Sequence, residues 1–158
     1  MNVYDIRNIV FSPAFVSEII YFFIQGSKRF NKKGIKYELV FLVLPFVMDE
    51  KVRGKLKDLK VTSTFNTAFL SGDLRDRLYL INENCPNYRK VTREGIIYLS
   101  NIEKLSIDEF MNLPDSGDRS YPSDKTIKSY LKAAYILGAI FSKEGYINII
   151  IRSRATNI

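Results

Sequence analysis

The twelve residues Tyr37-Glu38-Leu39-Val40-Phe41-Leu42-Val43-Leu44-Pro45-Phe46-Val47-Met48 constrain the fold of this chain more than any others. Apolar on every side, they must be enclosed by the rest of the protein. At about 1.5 Å per residue the stretch falls far short of the roughly 20 apolar residues that a bilayer crossing needs. A segment this uniform is a buried helix or a buried strand, and periodicity alone does not separate the two. Pro45 bears on the choice. In a central strand it would remove a ladder bond, whereas in a helix its cost of about 3 kcal/mol can be offset by packing. Gly34 before the stretch and Asp49-Glu50-Lys51 after it suit a central helix, with a buried strand as the alternative.

With 158 residues, 46% of them hydrophobic, the chain can enclose that segment in one domain spanning 1–158. Residues 1–11 read as an N-terminal arm and the basic residues 152–158 as a loose tail. The absence of histidine removes the usual general base, the commonest zinc ligand and the Ser-His and Cys-His nucleophile systems together. Carboxylates, lysine and tyrosine remain. Asp49-Glu50-Lys51 and Asp58-Leu59-Lys60 match the acid-x-lysine pattern of metal-dependent nucleases, but about one or two such matches arise by chance in a chain this charged. The glycines are isolated, so no phosphate-binding loop is encoded. The expectation is a protein without catalysis, cofactor or metal. The one cysteine, Cys85, excludes an intramolecular disulfide and fits a cytoplasmic setting. The N-terminus lacks the pattern of a signal peptide, and no span or membrane partner is expected.

In chain order, Ser12-Pro13 reads as the cap and first residue of a buried helix through Ile24, stopped at Gly26, with Ser17 and Glu18 on a narrow exposed edge. Thr62-Ser63-Thr64 caps a short helix through Leu70. Asp73 caps another that carries Leu74, Leu78 and Ile81 on one face, broken at Asn84-Cys85-Pro86-Asn87. Thr92 caps a further short helix through Leu99. Residues 102–107 alternate like a strand, and Asp115-Ser116-Gly117-Asp118 marks a turn. The clearest helix begins at Pro122-Ser123-Asp124 and ends at Gly145, with Ile127, Leu131, Ala134, Tyr135, Gly138 and Phe141 facing inward. Small Ala134 and Gly138 would let another helix approach closely. Tyr146-Ile147-Asn148-Ile149-Ile150-Ile151 reads as a strand pairing with residues 102–107. The result is an α+β domain, mainly α-helical, winged-helix-like, with a small antiparallel sheet near the C-terminus.

Lys and Arg outnumber Asp and Glu by 24 to 17, giving +7 and a pI near 9.4, which points to an anionic partner. Ten of those cations fall in two segments flanking the central helix: Lys28, Arg29, Lys32, Lys33 and Lys36, then Lys51, Arg53, Lys55, Lys57 and Lys60. They are the candidate surface for double-stranded DNA phosphates or an acidic protein face, and Lys51→Glu with Arg53→Glu should weaken binding without unfolding. The stretch with Glu103, Asp108, Glu109, Asp115 and Asp118 is acidic. A stand-alone winged-helix DNA regulator is the rival reading, but its recognition helix, 92–101, carries only Arg93 beside Glu94, and its wing would be acidic. A body with separated charge suits an adaptor that docks between protein subunits.

Several stretches together resemble the middle component of three-component ABC systems. They are Ser12-Pro13-Ala14-Phe15 opening an apolar helix, Leu39-Val40-Phe41-Leu42-Val43-Leu44-Pro45, Arg53, Thr62-Ser63, Thr92-Arg93-Glu94, and Leu131-Lys132-Ala133-Ala134-Tyr135-Ile136-Leu137-Gly138-Ala139-Ile140-Phe141. The resemblance covers most of the chain in order. It implies a bacterial accessory subunit encoded with an SMC-like ABC ATPase and an effector subunit, often a nuclease, in Lamassu-related anti-phage and anti-plasmid defence modules. It also implies one continuous helix where Asn84-Cys85-Pro86 reads as a break.

Overall fold

The computed structural model describes residues 8, 10–115, 117, 119–156 and 158. The central stretch is a helix: one 3-10 turn, Tyr37–Leu39, leads into α2, Val40–Met48. (The helix before it, Pro13–Lys28, is α1.) Val40, Leu42, Val43, Leu44, Phe46 and Val47 are all fully enclosed. At about 1.5–3 kcal/mol for each large side chain, their burial outweighs the roughly 3 kcal/mol cost of Pro45 inside the helix. Asp49 ends α2 in an extended conformation. Its carboxylate accepts the Lys51 and Val52 amides at 3.0 and 3.1 Å, starting α3, Glu50–Leu56. The Asp49-x-Lys51 pair is therefore a helix cap.

Helix α1 has Ser12 as N-cap, its hydroxyl accepting the Phe15 amide at 3.2 Å, with Pro13 in the first position. It runs past Gly26 to Lys28, because Gly26 serves a crossing rather than a stop: a Cβ there would lie 1.9 Å from the Tyr135 carbonyl oxygen. The expected exposed edge is also absent. Ser17 is buried, donating to the Ala14 carbonyl at 2.6 Å, and Glu18 pairs with Arg119 at 2.5 Å.

Thr64 caps the wide helical turn Asn66–Leu70 by accepting the Thr67 amide at 3.2 Å. Helix α4 follows as one element, Arg77–Ile102, so the expected break at residues 84–87 and the separate start at Thr92 are both corrected. Pro86 sits on the exposed face, while Leu78, Ile81, Cys85, Thr92, Ile96 and Leu99 form a continuous buried stripe. Packing of that stripe overrides the single backbone bond that Pro86 deletes.

Strands β1 (Ile35–Lys36), β2 (Ser106–Ile107) and β3 (Phe110–Asn112) form an antiparallel sheet in the order β1-β3-β2, with Ile35 opposite Met111 and Ser106 opposite Asn112. One edge strand thus comes from before the central helix. The segment expected to pair with residues 102–107 is instead helix α6, Tyr146–Ser153, set at 110° to α5, Lys125–Glu144. Gly145, at φ 84°, makes that corner, a conformation costly for any residue with a Cβ. Ile149 and Ser153 then bury on one helical face while Ile151 between them is exposed, a pattern that a strand would not produce.

Helix α1 packs on both α5 and α4, and α2 lies against α4. Phe141 of α5 touches Phe23, Phe46 and Phe65 at ring separations of 5.8, 5.4 and 6.4 Å. The chain end is tied down: Thr156 donates its amide to Asn82 at 3.0 Å, Ala155 is buried, and Arg89 donates to the Ile158 carbonyl at 2.9 Å. At the N-terminus Val10 is buried and Phe11 stacks on Tyr88, whereas residues 1–7 and 9 of the expected arm, and Ser116 and Asp118 of the expected turn, lie outside the described residues. No single helix among the described residues is long and apolar enough to cross a membrane.

Candidate interaction surface

The ten candidate cations divide by environment. Three are spent on the fold. Lys28 donates to the Leu113 carbonyl and to Asp115, each at 2.7 Å, and that ammonium holds the Asp115 carboxyl below its ordinary range. Lys36 pairs with Glu109 and lies 4.9 Å from the Phe110 ring centroid. Arg53 stacks on Tyr130 at 4.1 Å and donates to the Val47 carbonyl at 3.0 Å, closing the end of α2. Charge reversal at Arg53 therefore tests stability rather than contact. Arg53→Glu should cost about 2 kcal/mol in a urea titration, and Lys51→Glu, exposed, less than about 0.5. Equal effects would contradict this division.

Lys51 and Lys55 line a shallow depression with Gly72, Asp73 and Leu74. The two segments do converge elsewhere, through Lys143 at the end of α5. Its ammonium donates to the Val61 carbonyl at 2.6 Å and to the Ser63 carbonyl, and stands 4.8 Å from the Phe30 ring centroid. Partial burial lowers its pKa, against the carbonyl acceptors and the aromatic ring, which by themselves favour the ammonium. Phe30 belongs to the first basic segment and Val61 directly follows the second, so Lys143 ties the two segments together at this point. Arg29, Lys32 and Lys60 are exposed and make no ion pair among the described residues; Lys33 lies 6.0 Å from the Phe110 ring.

Acidic and basic regions are not separated as the sequence suggests. Pairing of β1 with β3 lays the first basic segment beside the acidic one, where Asn112 donates to the Lys32 carbonyl at 3.0 Å. Glu109 and Asp115 are thereby matched to Lys36 and Lys28, while Glu103 and Glu18 share Arg119, whose guanidinium stacks 3.9 Å from the Tyr21 ring. Lysines and acids 73 and 87 residues apart in sequence give no local signal of such pairing.

Cys85 is buried on the inner face of α4, donating to the Ile81 carbonyl at 3.3 Å. Desolvation pushes its thiol up to about 11, against a smaller opposing effect of Arg89. At pH 8 the thiolate is then about a hundredfold scarcer than in an ordinary cysteine. Ellman's reagent should react about two orders of magnitude more slowly with the folded chain than in urea; equal rates would remove the buried placement. The same shift acts on stability, which is lost as pH rises from the ordinary thiol range through about 11.

Sequence reasoning missed a second surface, at Arg75, Tyr79, Ile151, Arg152 and Arg154, which line one cleft. The run Ile149-Ile150-Ile151 hides helical periodicity, since every position is apolar, and reading it as strand hid the exposed face of α6.

No curated protein and no solved structure matches this chain. One family does, over residues 2–152, described as ABC-three component (ABC-3C) system Middle Component 3. That match takes in every helix and strand but the final residue of α6, and the continuous α4 is the form the resemblance implied. This chain belongs to the Middle Component 3 family and is a middle component of an ABC-three component system.

Proposed function

We propose that this middle component is a non-catalytic adaptor acting in the cytoplasm. It links an SMC-like ABC ATPase subunit to an effector, a nuclease, in a Lamassu-related anti-phage and anti-plasmid complex. The observation that carries the reading is the family match over residues 2–152, since a middle component acts beside other subunits. The tie of Lys143 to Phe30 in the first basic segment and to Val61 just after the second supports a shared basic surface that meets DNA phosphates or an acidic subunit face.

The connectivity supports a winged-helix-like domain: α1, β1, helices α2 to α4, then the β2-β3 hairpin with β3 in the middle of the sheet. A stand-alone DNA reader of that shape would use the end of α4 and the hairpin turn. Here the α4 end exposes Ile97, Tyr98 and Ile102, and the turn carries Asp108 and Glu109. Phosphates gain little from the first and are repelled by the second, which favours the adaptor.

The triple variant Lys32→Glu, Lys33→Glu and Lys60→Glu tests the basic surface. It should weaken retention of duplex DNA, or assembly with the co-encoded subunits, at least about tenfold at low salt. It should also flatten the salt dependence of DNA binding by about one unit of log-log slope per residue. The urea midpoint should stay put. Unchanged DNA retention and unchanged assembly at low salt would remove this surface from the account.

A further inference from the structure

Where α6 meets the start of α4, the chain leaves open a cleft of about 490 Å³. Leu70, Leu78, Tyr79 and Ile151 supply its apolar lining, and Arg75, Arg152 and Arg154 supply its charge against Asp76, with Glu83 beside the Tyr79 hydroxyl. Ile151 is 68% exposed and Tyr79 is 56% exposed. One turn before Ile151 on the same helical face, Ile147 is 69% exposed. Large aliphatic side chains this open, four residues apart on a helix whose other face is buried, form an amphipathic surface turned outward.

The cations are placed with some backbone cost. Arg154 caps α6 in the left-handed conformation, at φ 56°, the one non-glycine with positive φ among the described residues. Glycine is the usual residue at such a cap. Arg152 is matched by Glu144 at 3.0 Å, while Arg75 and Arg154 are exposed and make no ion pair among the described residues.

We propose that this cleft docks an acidic amphipathic segment of a partner subunit, an inference that rests on the adaptor reading. Leucine-like side chains would enter between Tyr79 and Ile151, and carboxylates would meet Arg75 and Arg154. A nucleic acid has a use for the arginines but none for Ile147 and Ile151. An acidic peptide with an apolar face has a use for both.

The test uses the full chain and a fluorescein-labelled peptide with leucine at heptad-spaced positions and glutamate between them, followed by anisotropy. Binding should be saturable and weakened by salt. Ile151→Asp and Arg154→Gly should each reduce it at least about tenfold. Arg154→Gly suits the left-handed backbone, so it removes the charge without threatening the fold. Binding indifferent to both substitutions overturns the proposal. So does displacement of the peptide from this cleft by duplex DNA or by vesicles containing phosphatidylglycerol. A chain that holds the peptide through these residues yet joins no co-encoded subunit retains the cleft and loses the adaptor reading. One that assembles at full strength with both substitutions loses the cleft alone.

Discussion

Gly138→Ala should lower the stability of the folded chain by about 3 kcal/mol or more, an unusually large effect for a single methyl group. A Cβ at Gly138 would stand 1.9 Å from the Phe23 carbonyl oxygen, 2.9 Å from its carbon and 3.0 Å from the Ser27 nitrogen. All three are backbone atoms of α1, so no side-chain rotation relieves the clash and the two helices must separate. Gly26→Ala attacks the same crossing from the other side, 1.9 Å from the Tyr135 carbonyl oxygen. Gly54→Ala is the control. It lies within α3 with nothing inside 4 Å, and it should stabilise by about 0.5–1 kcal/mol because alanine restricts the unfolded chain. Urea titration of the three variants separates these outcomes. A Gly138→Ala midpoint equal to wild type would mean that α1 and α5 do not cross where described.

Phe141→Ala should cost about 4 kcal/mol. The ring is fully buried and makes edge-on contacts with Phe23 of α1 and Phe46 of α2, plus a tilted contact with Phe65. Truncation empties the point where three elements meet, and the backbone around a helix crossing this tight cannot close the gap. Against a typical total of about 5–15 kcal/mol for a domain, that loss is a large fraction of the stability. Phe141→Leu, which keeps most of the volume, should cost about 1.5 kcal/mol or less. A Phe141→Ala loss below about 1 kcal/mol would show that this ring cluster is not the centre of the core.

Both sites are legible in the sequence, because they belong to a strongly periodic helix with a clean cap at each end. Ser12-Pro13, Asp124 and Gly145 act locally, through one or two bonds, and local rules read them correctly. The same rules failed where packing outweighs propensity. Pro86 and Asn84 argue for a break, yet Leu78, Ile81, Cys85, Tyr88, Thr92 and Leu99 recur at helical spacing straight through it, and that longer pattern is what the fold obeys. Thr92 looked like a cap because of its side chain. It is instead a buried residue whose hydroxyl has no hydrogen-bond partner among the described residues. Gly26 looked like a stop because glycine ends helices in isolation; only the partner helix reveals that it is a point of contact.

The interaction surface was legible only as composition. The sequence shows ten cations in two segments. It does not show that Lys28, Lys36 and Arg53 are consumed by Asp115, Glu109 and Tyr130, because those partners are supplied by sheet pairing and helix packing. Nor does it show the cleft beside α6, whose arginines are spread between positions 75 and 154. Charge counted along a chain locates candidates, and tertiary structure decides which of them still face outward.

The central claim is that this chain works as one subunit among others. It is tested by co-expressing it with the other components of its ABC-three component system, purifying through a tag on this chain, and measuring the mass of the product by light scattering. A single species of fixed stoichiometry, with this chain neither hydrolysing nucleotide nor cutting DNA when purified alone, is the predicted result. A chain that emerges uncombined, and that by itself hydrolyses ATP or cuts DNA, would contradict the account.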